Sequence, residues 1–431
     1  MSRLWKEWER VRSSSLARNA GWMFLGQGLS IILQALCFIF LARLLGSTQY
    51  GIYAGVFAMV SVLSVYSPVG SPFVLLRHVS PDHSKFAPYW GNVLATTITL
   101  GSLFVGVLVL TVPHLAHSYS WMLVLCAALA DCLCGQLIDG ASRVFQAFEK
   151  MRIMAILSLL MNFLRTILAG VMLWSISHAS ALQWVVASLA VSVIATCAAL
   201  ALVTHHYGKP AFSQKLLRQS AGEGVTFALS SSTMTIYNSI DKALLGHYGM
   251  NAANGIYSMA YRVIDISTMP IASIHAAAFP RFFRKGADGI GSTAAYAVQI
   301  LKRTAPMAVL FAVIMAITAP VIPHLAGKSF NDSVLALRWL CLLPVLRSFQ
   351  LSAGDALTGS GRLRLRLGIQ ATAAAFNFGV NLYLIPHFGW HGAAWSSLAT
   401  DGLLGMCNWT ALLVVRRQAA KFLEGPVYET K

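Results

Sequence analysis

The sequence predicts an all-α polytopic membrane protein with twelve transmembrane helices in two six-helix lobes and with both termini in the cytoplasm. Of its 431 residues, 57% are hydrophobic and 11% are charged, whereas soluble globular proteins carry about 25% charged residues. Apolar runs of roughly 20–28 residues fill most of the chain, and a helix needs about 20 apolar residues to cross a bilayer. Because the bilayer core offers the backbone no other hydrogen-bond partners, each run is expected to be a helix.

The polar gaps between these runs define the predicted spans in chain order. In the first half the spans cover about 20–42, 51–76, 89–112, 118–145, 153–174 and 181–204. In the second half they cover about 221–246, 253–280, 298–323, 333–357, 366–386 and 391–415. The predicted regions are therefore a cytoplasmic interfacial segment at 1–19, an N-terminal lobe at 20–204, a cytoplasmic linker at 205–219, a C-terminal lobe at 220–416 and a cytoplasmic tail at 417–431.

The positions of the basic residues give the orientation. The net charge is +17, but most of the lysines and arginines lie in the gaps between apolar runs and not on one soluble face, so no nucleic-acid partner is expected. With a cytoplasmic N-terminus, Arg43 and Lys328 are the only basic residues that fall in outward gaps. This asymmetry is the one that the positive-inside rule describes. Trp5 and Trp8, set among basic residues, are typical of a segment that lies at the membrane surface.

The cysteines and histidines do not indicate a metal site or a disulfide framework. The seven cysteines all fall inside apolar runs and lack metal-ligand spacing. We therefore expect small core-filling residues, with no disulfide framework, no metal and no cofactor. His275 is the only histidine well inside a span. We expect it to make a satisfied polar contact, and a proton relay is the alternative.

A short sequence motif occurs twice in the chain. Within the stretch Leu41–Ala54, two leucines and a glycine at 44–46 precede Gly-Ile-Tyr at 51–53, and the same elements return at 244–246 and 255–257. Each copy joins two apolar runs. Because each half has an even number of spans, both halves would start on the same side of the membrane and form parallel repeats. Many transporters have this plan, with the substrate site between halves that rock to give alternating access.

Several motifs together resemble the polysaccharide-exporter branch of the multidrug/oligosaccharidyl-lipid/polysaccharide (MOP) flippase superfamily. They are Asn19 and Gln27, LARLLGSTQYGIYA at 41–54, IDKALLGHYGMNAANGIYSMAYRV at 240–263 and HGAAWSSLATDGL at 391–403. The resemblance runs over essentially the whole chain. It implies a MOP flippase-like fold and a carrier that is not an enzyme.

The resemblance also implies a substrate and a location. Members of this branch move a lipid-linked oligosaccharide, usually on undecaprenyl pyrophosphate, from the inner to the outer leaflet of the bacterial inner membrane. The product serves surface polysaccharide biosynthesis, and polysaccharide polymerase machinery is a possible partner beside the membrane lipids. The alternative is a cation-coupled small-molecule or drug exporter of the same fold. A membrane-embedded glycan polymerase or glycosyltransferase is disfavoured, because the outer connections are short and no acidic cluster lies at a membrane face.

Basic residues inside the spans are the candidates for substrate binding. An ionisable residue in a span costs roughly 2.5–3.5 kcal/mol on insertion scales and therefore faces a cavity or a partner. An arginine can bind two phosphate oxygens at once, which suits a pyrophosphate headgroup. Arg165 and Arg347 lie nearest the middle of their spans, and the further candidates are Arg262, Lys242 and Arg338.

Acidic residues inside the spans are the candidates for ion coupling. Asp131, Asp355 and Asp401 have no obvious partner on their own helix, so each is a candidate to take up a proton or to coordinate sodium. The alternative for all intramembrane charges is local pairing. Arg262 with Asp265, three positions apart, and Asp139 with Arg143, four apart, are spaced to meet on one helix face.

Overall fold

The computed structural model describes residues 15–116, 118–176 and 178–423, and nearly all of them are helical, without a strand among them. The predicted all-α fold is confirmed. Most of the predicted interfacial segment at 1–19 and about half of the predicted tail at 417–431 lie outside the described residues.

The described chain divides after Ala252 into two compact units. The first unit contains α1 (Ser15–Ser64), α2 (Ser71–Val79), α3 (Phe86–Leu115), α4 (Trp121–Ala147), α5 (Met151–Ser175), α6 (Ala181–Tyr207) and α7 (Gln214–His247). The second contains α8 (Asn251–Ala287, which starts just before the division), α9 (Ile290–Thr318), α10 (Val321–Ala326), α11 (Ser333–Leu340), α12 (Leu343–Gly359), α13 (Leu363–Phe388) and α14 (Trp390–Leu423).

In the described part of the chain, nine helical segments are long and apolar enough to cross a membrane. One of them, Gly28–Ser64, has 37 residues. It would be about 55 Å long as a straight helix, against a hydrocarbon core of about 30 Å. This segment includes residues 28–42 of the first predicted span and residues 51–64 of the second. The seventh and eleventh predicted spans lie in α7 and α13, which are not among the nine, so the total of twelve crossings and the orientation remain predictions.

The chain bends sharply inside α1, at the first copy of the repeated motif. Gly46 has φ 66° and ψ 174°, which is not helical, and glycine adopts such angles without steric cost. The rings of Phe38 and Tyr50 have their centroids 5.5 Å apart, whereas a straight helix would separate residues at this spacing by about 18 Å along its axis. The predicted turn between the first two spans is therefore a bend centred on one glycine.

In the second copy of the repeated motif, the glycine that follows the two leucines, Gly246, has a different role. The chain turns instead at Gly249 (φ 69°), between the end of α7 and the start of α8. Gly246 is a point of close approach: a Cβ there would clash with the Tyr119 hydroxyl and would lie 3.5 Å from the Cα of Gly55. Gly55 on α1 is therefore part of a close contact between α1 and α7.

The packing of α7 places it in the first compact unit. The hydroxyls of Ser61 on α1 and Ser239 on α7 are 3.1 Å apart. Glu223 of α7 accepts a hydrogen bond of 2.9 Å from Arg77 on α2 and lies 3.1 Å from the ring of His78. The compact units therefore do not coincide with the lobes inferred from the repeat, in which α7 opens the second lobe. That lobe boundary remains a prediction.

Proline and glycine interrupt two of the predicted spans. The second span breaks between α1 and α2, where Val69 and Gly70 have φ of 46° and 66° and Pro72 occupies the first turn of α2. The tenth predicted span breaks between α11 and α12, and Pro344 lies in the first turn of α12. Proline lacks the N–H that a helix interior needs, but this group has no partner in the first turn anyway. The breaks therefore follow from the positions of the prolines.

Candidate intramembrane binding site

Arg347 joins three helices of the second unit. Its NH1 lies 3.3 Å from Oδ1 of Asp265 on α8, and its Nε lies 3.7 Å from Oδ2 of Asp401 on α14. The guanidinium carbon is 5.8 Å from the centre of the Tyr261 ring, within the range of a cation–π contact. We call Asp265, Arg347 and Asp401 the charge triad. Its formal charge is −1, because two carboxylates share one guanidinium.

Helical spacing explains how the triad is assembled. Tyr261 and Asp265 are four residues apart on α8, and Arg347 and Gln350 are three apart on α12, so each pair lies on one helix face. Gln350 donates a hydrogen bond of 3.2 Å to Oδ1 of Asp401. Asp401 is 1% exposed, whereas the Asp265 side chain is 44% exposed. The triad therefore runs from a buried carboxylate to an accessible one.

A second charged cluster lies further along the same two helices. Nδ1 of His275 on α8 is 2.9 Å from Oδ2 of Asp355 on α12. Oδ1 of Asp355 accepts a hydrogen bond of 3.2 Å from Arg366 on α13, and Arg366 also donates to Thr358 over 2.8 Å. We call these four residues the histidine cluster. The polar contact expected for His275 is confirmed.

Arg366 is a member that the sequence did not indicate as a site residue, because it lies at the very start of the eleventh predicted span. It lies in the first turn of α13, after the turn at Gly361 (φ 78°), and its side chain reaches back to α12. A Cβ on Gly354 would lie 3.0 Å from the Nε of Arg366, so the glycine makes room for the guanidinium. The sequence signal that could have indicated this site is Gly354, a glycine directly before the intramembrane acid Asp355.

Hydrogen bonds between amides and hydroxyls join α13 to α14. Asn377 donates to Thr400 over 3.1 Å, and Asn381 donates to Asn377 over 3.0 Å. Asn381 also accepts a hydrogen bond of 2.5 Å from Ser396. All four side chains are buried. Their mutual bonds offset the cost of removing these polar groups from water.

Arg165 lies in a different setting, in the first unit. On α5, its NH2 donates a hydrogen bond of 3.2 Å to Ser192 of α6, and its buried Nε has no hydrogen-bond partner among the described residues. No carboxylate in the described part of the chain lies within 4 Å of this guanidinium. Arg165 is thus an intramembrane cation without a close counter-charge, unlike Arg347.

Asp131 shares the surroundings of Arg165. It lies in the π-helical segment Leu129–Gly135 of α4, a distortion that occurs frequently at functional sites. Arg165 acts on its carboxylate electrostatically from beyond ion-pair distance. The side chain is partly exposed. The two candidates of the first unit are therefore near each other without forming an ion pair.

The remaining candidates lie apart from these clusters. Arg262 and Arg338 are exposed and Lys242 is half-buried near the end of α7. Asp265, the acid of the alternative local pair with Arg262, forms an ion pair with Arg347, 82 positions away in the chain. The pair between Asp139 and Arg143 is confirmed at 3.6 Å. The substrate-binding and coupling roles of all these residues remain predictions.

The fold is similar to that of solved transporters. An inward-facing multidrug resistance MATE family transporter of the MOP superfamily superposes with a TM-score of 0.74 and 14% identity, over 92% of this chain and 99% of that one. An outward-facing structure of such a transporter gives a TM-score of 0.59 at 14% identity, over 94% and 96% of the two chains. At this level of identity the likeness shows the fold: the protein has the multi-pass membrane fold of MOP-superfamily transporters.

Sequence comparison gives a relative and a family. An uncharacterized membrane protein of Methanocaldococcus jannaschii is 26% identical over 192 residues, which are 43% of this chain and 37% of that protein. The match thus spans little more than a third of the relative's length. Residues 16–285 match the family described as polysaccharide biosynthesis protein, and the chain belongs to that family.

Proposed function

We propose that this protein flips a lipid-linked oligosaccharide, carried on undecaprenyl pyrophosphate, from the inner to the outer leaflet of the bacterial inner membrane. It acts as a carrier by alternating access and performs no catalysis. Its partners are the membrane lipids and the polymerase machinery that builds a lipopolysaccharide or exopolysaccharide from the delivered units. Membership of the polysaccharide biosynthesis family supports the substrate class, and the transporter fold supports the movement.

The unpaired state of Arg165 is the observation that carries this proposal. A buried guanidinium N–H without an acceptor is unfavourable, and a pyrophosphate oxygen is an acceptor of the right charge. Ser192 holds one nitrogen of the side chain and leaves Nε for the ligand. Arg165 therefore becomes the main headgroup contact.

The ion pairs of Arg347 assign it a different role. Its guanidinium already neutralises part of the charge of Asp265 and Asp401, so an arriving phosphate would have to compete with two carboxylates. The triad instead takes a cation, proton or sodium, because one further positive charge brings its formal charge to zero. Asp401 and Asp265 are the coupling acids in this scheme, and Arg347 keeps them in place.

The test is a leaflet-resolved assay of the glycolipid in a deletion strain. Loss of the protein is expected to strand lipid-linked oligosaccharide on the cytoplasmic leaflet, and the wild-type gene is expected to restore outward transfer. Arg165→Ala should fail to restore it at equal expression, whereas Arg165→Lys should restore part, because it keeps the charge without the second hydrogen bond. Arg303→Ala removes an exposed arginine of α9 and serves as the matched control.

Two results would contradict the proposal. Unchanged outward transfer in the deletion strain would reject the flippase function. Full transfer by Arg165→Ala, together with loss in the deletion strain, would keep the function but reject this headgroup contact.

A cation-coupled small-molecule exporter is the second candidate. The negative formal charge of the triad favours it, since two carboxylates beside one arginine suit a cationic substrate, and the structural relatives are described as multidrug resistance transporters. This candidate predicts that the deletion strain becomes sensitive to cationic drugs while its surface polysaccharide is unchanged. The flippase predicts the reverse.

A further inference from the structure

His275 has one ring nitrogen bonded and the other without a partner. Nδ1 contacts Asp355, whereas Nε2 is buried and has no hydrogen-bond partner among the described residues. The whole residue is 4% exposed. Buried polar atoms are nearly always hydrogen-bonded, so an unpartnered one requires a reason.

The partners of Asp355 fix where the imidazole carries its hydrogen. Asp355 accepts a hydrogen bond from Arg366 through one oxygen, and a carboxylate that is held by a guanidinium is ionised and can only accept. Nδ1 of His275 must therefore be the donor to the other oxygen. In a neutral imidazole the second nitrogen then carries the lone pair. The unpartnered Nε2 is thus the basic nitrogen of the ring.

In the described part of the chain, an apolar core lies beside the pair. Ala278, Phe282, Ala353 and Leu357 belong to an apolar core formed by α8 and α12 with their neighbours. The neighbouring helices α9 and α14 add apolar side chains to this core, and their basic residues Lys302, Arg303, Arg416 and Arg417 are exposed. Among the described residues, Asp355 from α12 forms an ion pair with His275, and Arg366 from α13 forms one with Asp355.

The formal charge of the cluster depends on this one ring. With a neutral imidazole, the Asp355 carboxylate and the Arg366 guanidinium sum to zero. With an imidazolium the sum is +1, and an excess charge in an apolar core is unfavourable unless water or an anion reaches it. Uptake of a proton at Nε2 is consequently linked to a conformation in which Nε2 becomes accessible.

We propose that His275 is a reversible proton-binding site of the second unit, with Asp355 and Arg366 as its positioning residues. A proton from water adds to the Nε2 lone pair and gives an imidazolium, and its release to water restores the neutral ring. Histidine changes charge between about pH 5 and 8, which suits a proton gradient across a membrane. The binding of a proton by His275 does not depend on the proposed transport function. Only the role of that proton as the coupling ion rests on it.

The position of His275 links it to the charge triad. His275 lies ten residues after Asp265 on α8, and Asp355 lies eight after Arg347 on α12, so the clusters are roughly 12–15 Å apart along the same two helices. A change in the contact between α8 and α12 at one cluster therefore displaces the side chains of the other cluster. Proton uptake at His275 thus shifts the balance of ion pairs around Arg347.

The direct test is a pH titration of the histidine side chains by nitrogen-15 NMR, on the full-length protein in lipid nanodiscs. The His275 signals are those lost in His275→Gln, and His206→Gln, which removes an exposed histidine, is the control for the assignment. We expect Nδ1 to be protonated throughout and Nε2 to gain a proton as the pH falls from about 8 to 5. A His275 that holds one charge state over this range would overturn the proposal.

A second measurement separates this proposal from the flippase assignment. The wild-type transport rate is expected to change about tenfold between pH 6 and 8, and the rate of His275→Gln is expected to be flat within about twofold. A titrating His275 in a protein that moves no lipid-linked oligosaccharide would reject the assigned substrate and leave the proton site standing. A His275→Gln variant that keeps the wild-type pH profile would overturn the coupling role.

Discussion

Replacing Arg347 with methionine tests which carboxylate of the triad depends on it. Methionine keeps an apolar stem of similar length on α12 but removes the positive charge, so the packing loss is small and the electrostatic loss remains. Asp401, at 1% exposure, would become a buried carboxylate without its arginine. Asp265, with a side chain 44% exposed, would be solvated by water.

The exposure of the two acids sets the size of the effect. Removing one partner of a buried ion pair costs about 3–5 kcal/mol, because the other charge is left uncompensated. An exposed pair contributes only about 0.2–1 kcal/mol. We therefore expect Arg347→Met to lower the free energy of unfolding by about 3–5 kcal/mol. The coupling free energy should be about 2–3 kcal/mol for Arg347 with Asp401 and about 0.2–1 kcal/mol for Arg347 with Asp265.

The assay is a pair of double-mutant cycles in lipid nanodiscs. Unfolding by denaturant, followed by tryptophan fluorescence, gives the free energy of unfolding for Arg347→Met, Asp401→Asn, Asp265→Asn and the two doubles. Asp401→Asn should restore most of the stability that Arg347→Met removes, whereas Asp265→Asn should restore little. Equal rescue by both, or rescue by Asp265→Asn alone, would refute the view that the buried acid governs the triad.

Three further outcomes follow from the contacts of single residues. Gly246→Ala should lower the thermal unfolding temperature, because its Cβ would clash with the Tyr119 hydroxyl; Tyr119→Phe should restore part of the loss, and no loss at all would contradict the close packing. Asn381→Leu should lower the free energy of unfolding by about 1–3 kcal/mol, because Ser396 and Asn377 each lose their hydrogen bond to Asn381; stability equal to wild type would show that these bonds contribute nothing. Arg165→Ala should leave the unfolding temperature near that of wild type, since Ser192 is its only hydrogen-bond partner among the described residues; strong destabilisation would indicate a structural role.

Local sequence patterns were sufficient for the helices and their breaks. The bend at Gly46 and the break before Pro72 follow from the steric properties of glycine and proline, and these act within a few residues. The pair between Asp139 and Arg143 follows from helical spacing in the same way. Such features are predictable because their causes lie close together in the chain.

The partners of the intramembrane charges were not predictable in this way. Asp265 has a basic residue three positions before it, yet it pairs with Arg347, 82 positions away. His275 and Asp355 are 80 positions apart. Which helices meet is decided by packing over the whole fold, and a periodic apolar pattern shows which face of a helix is buried without naming the neighbour. The sequence therefore predicted that these charges need partners, but not which partners they have.

Reconstitution of the purified protein tests the flippase function most directly. Lipid-linked oligosaccharide on undecaprenyl pyrophosphate would be placed in the outer leaflet of proteoliposomes, and its removal from that leaflet followed with a membrane-impermeant glycan-cleaving enzyme. A flippase predicts that wild-type protein makes a fraction of the glycolipid inaccessible over time, and that Arg165→Ala matches protein-free vesicles. Equal accessibility with wild-type protein and without protein would contradict the proposed function.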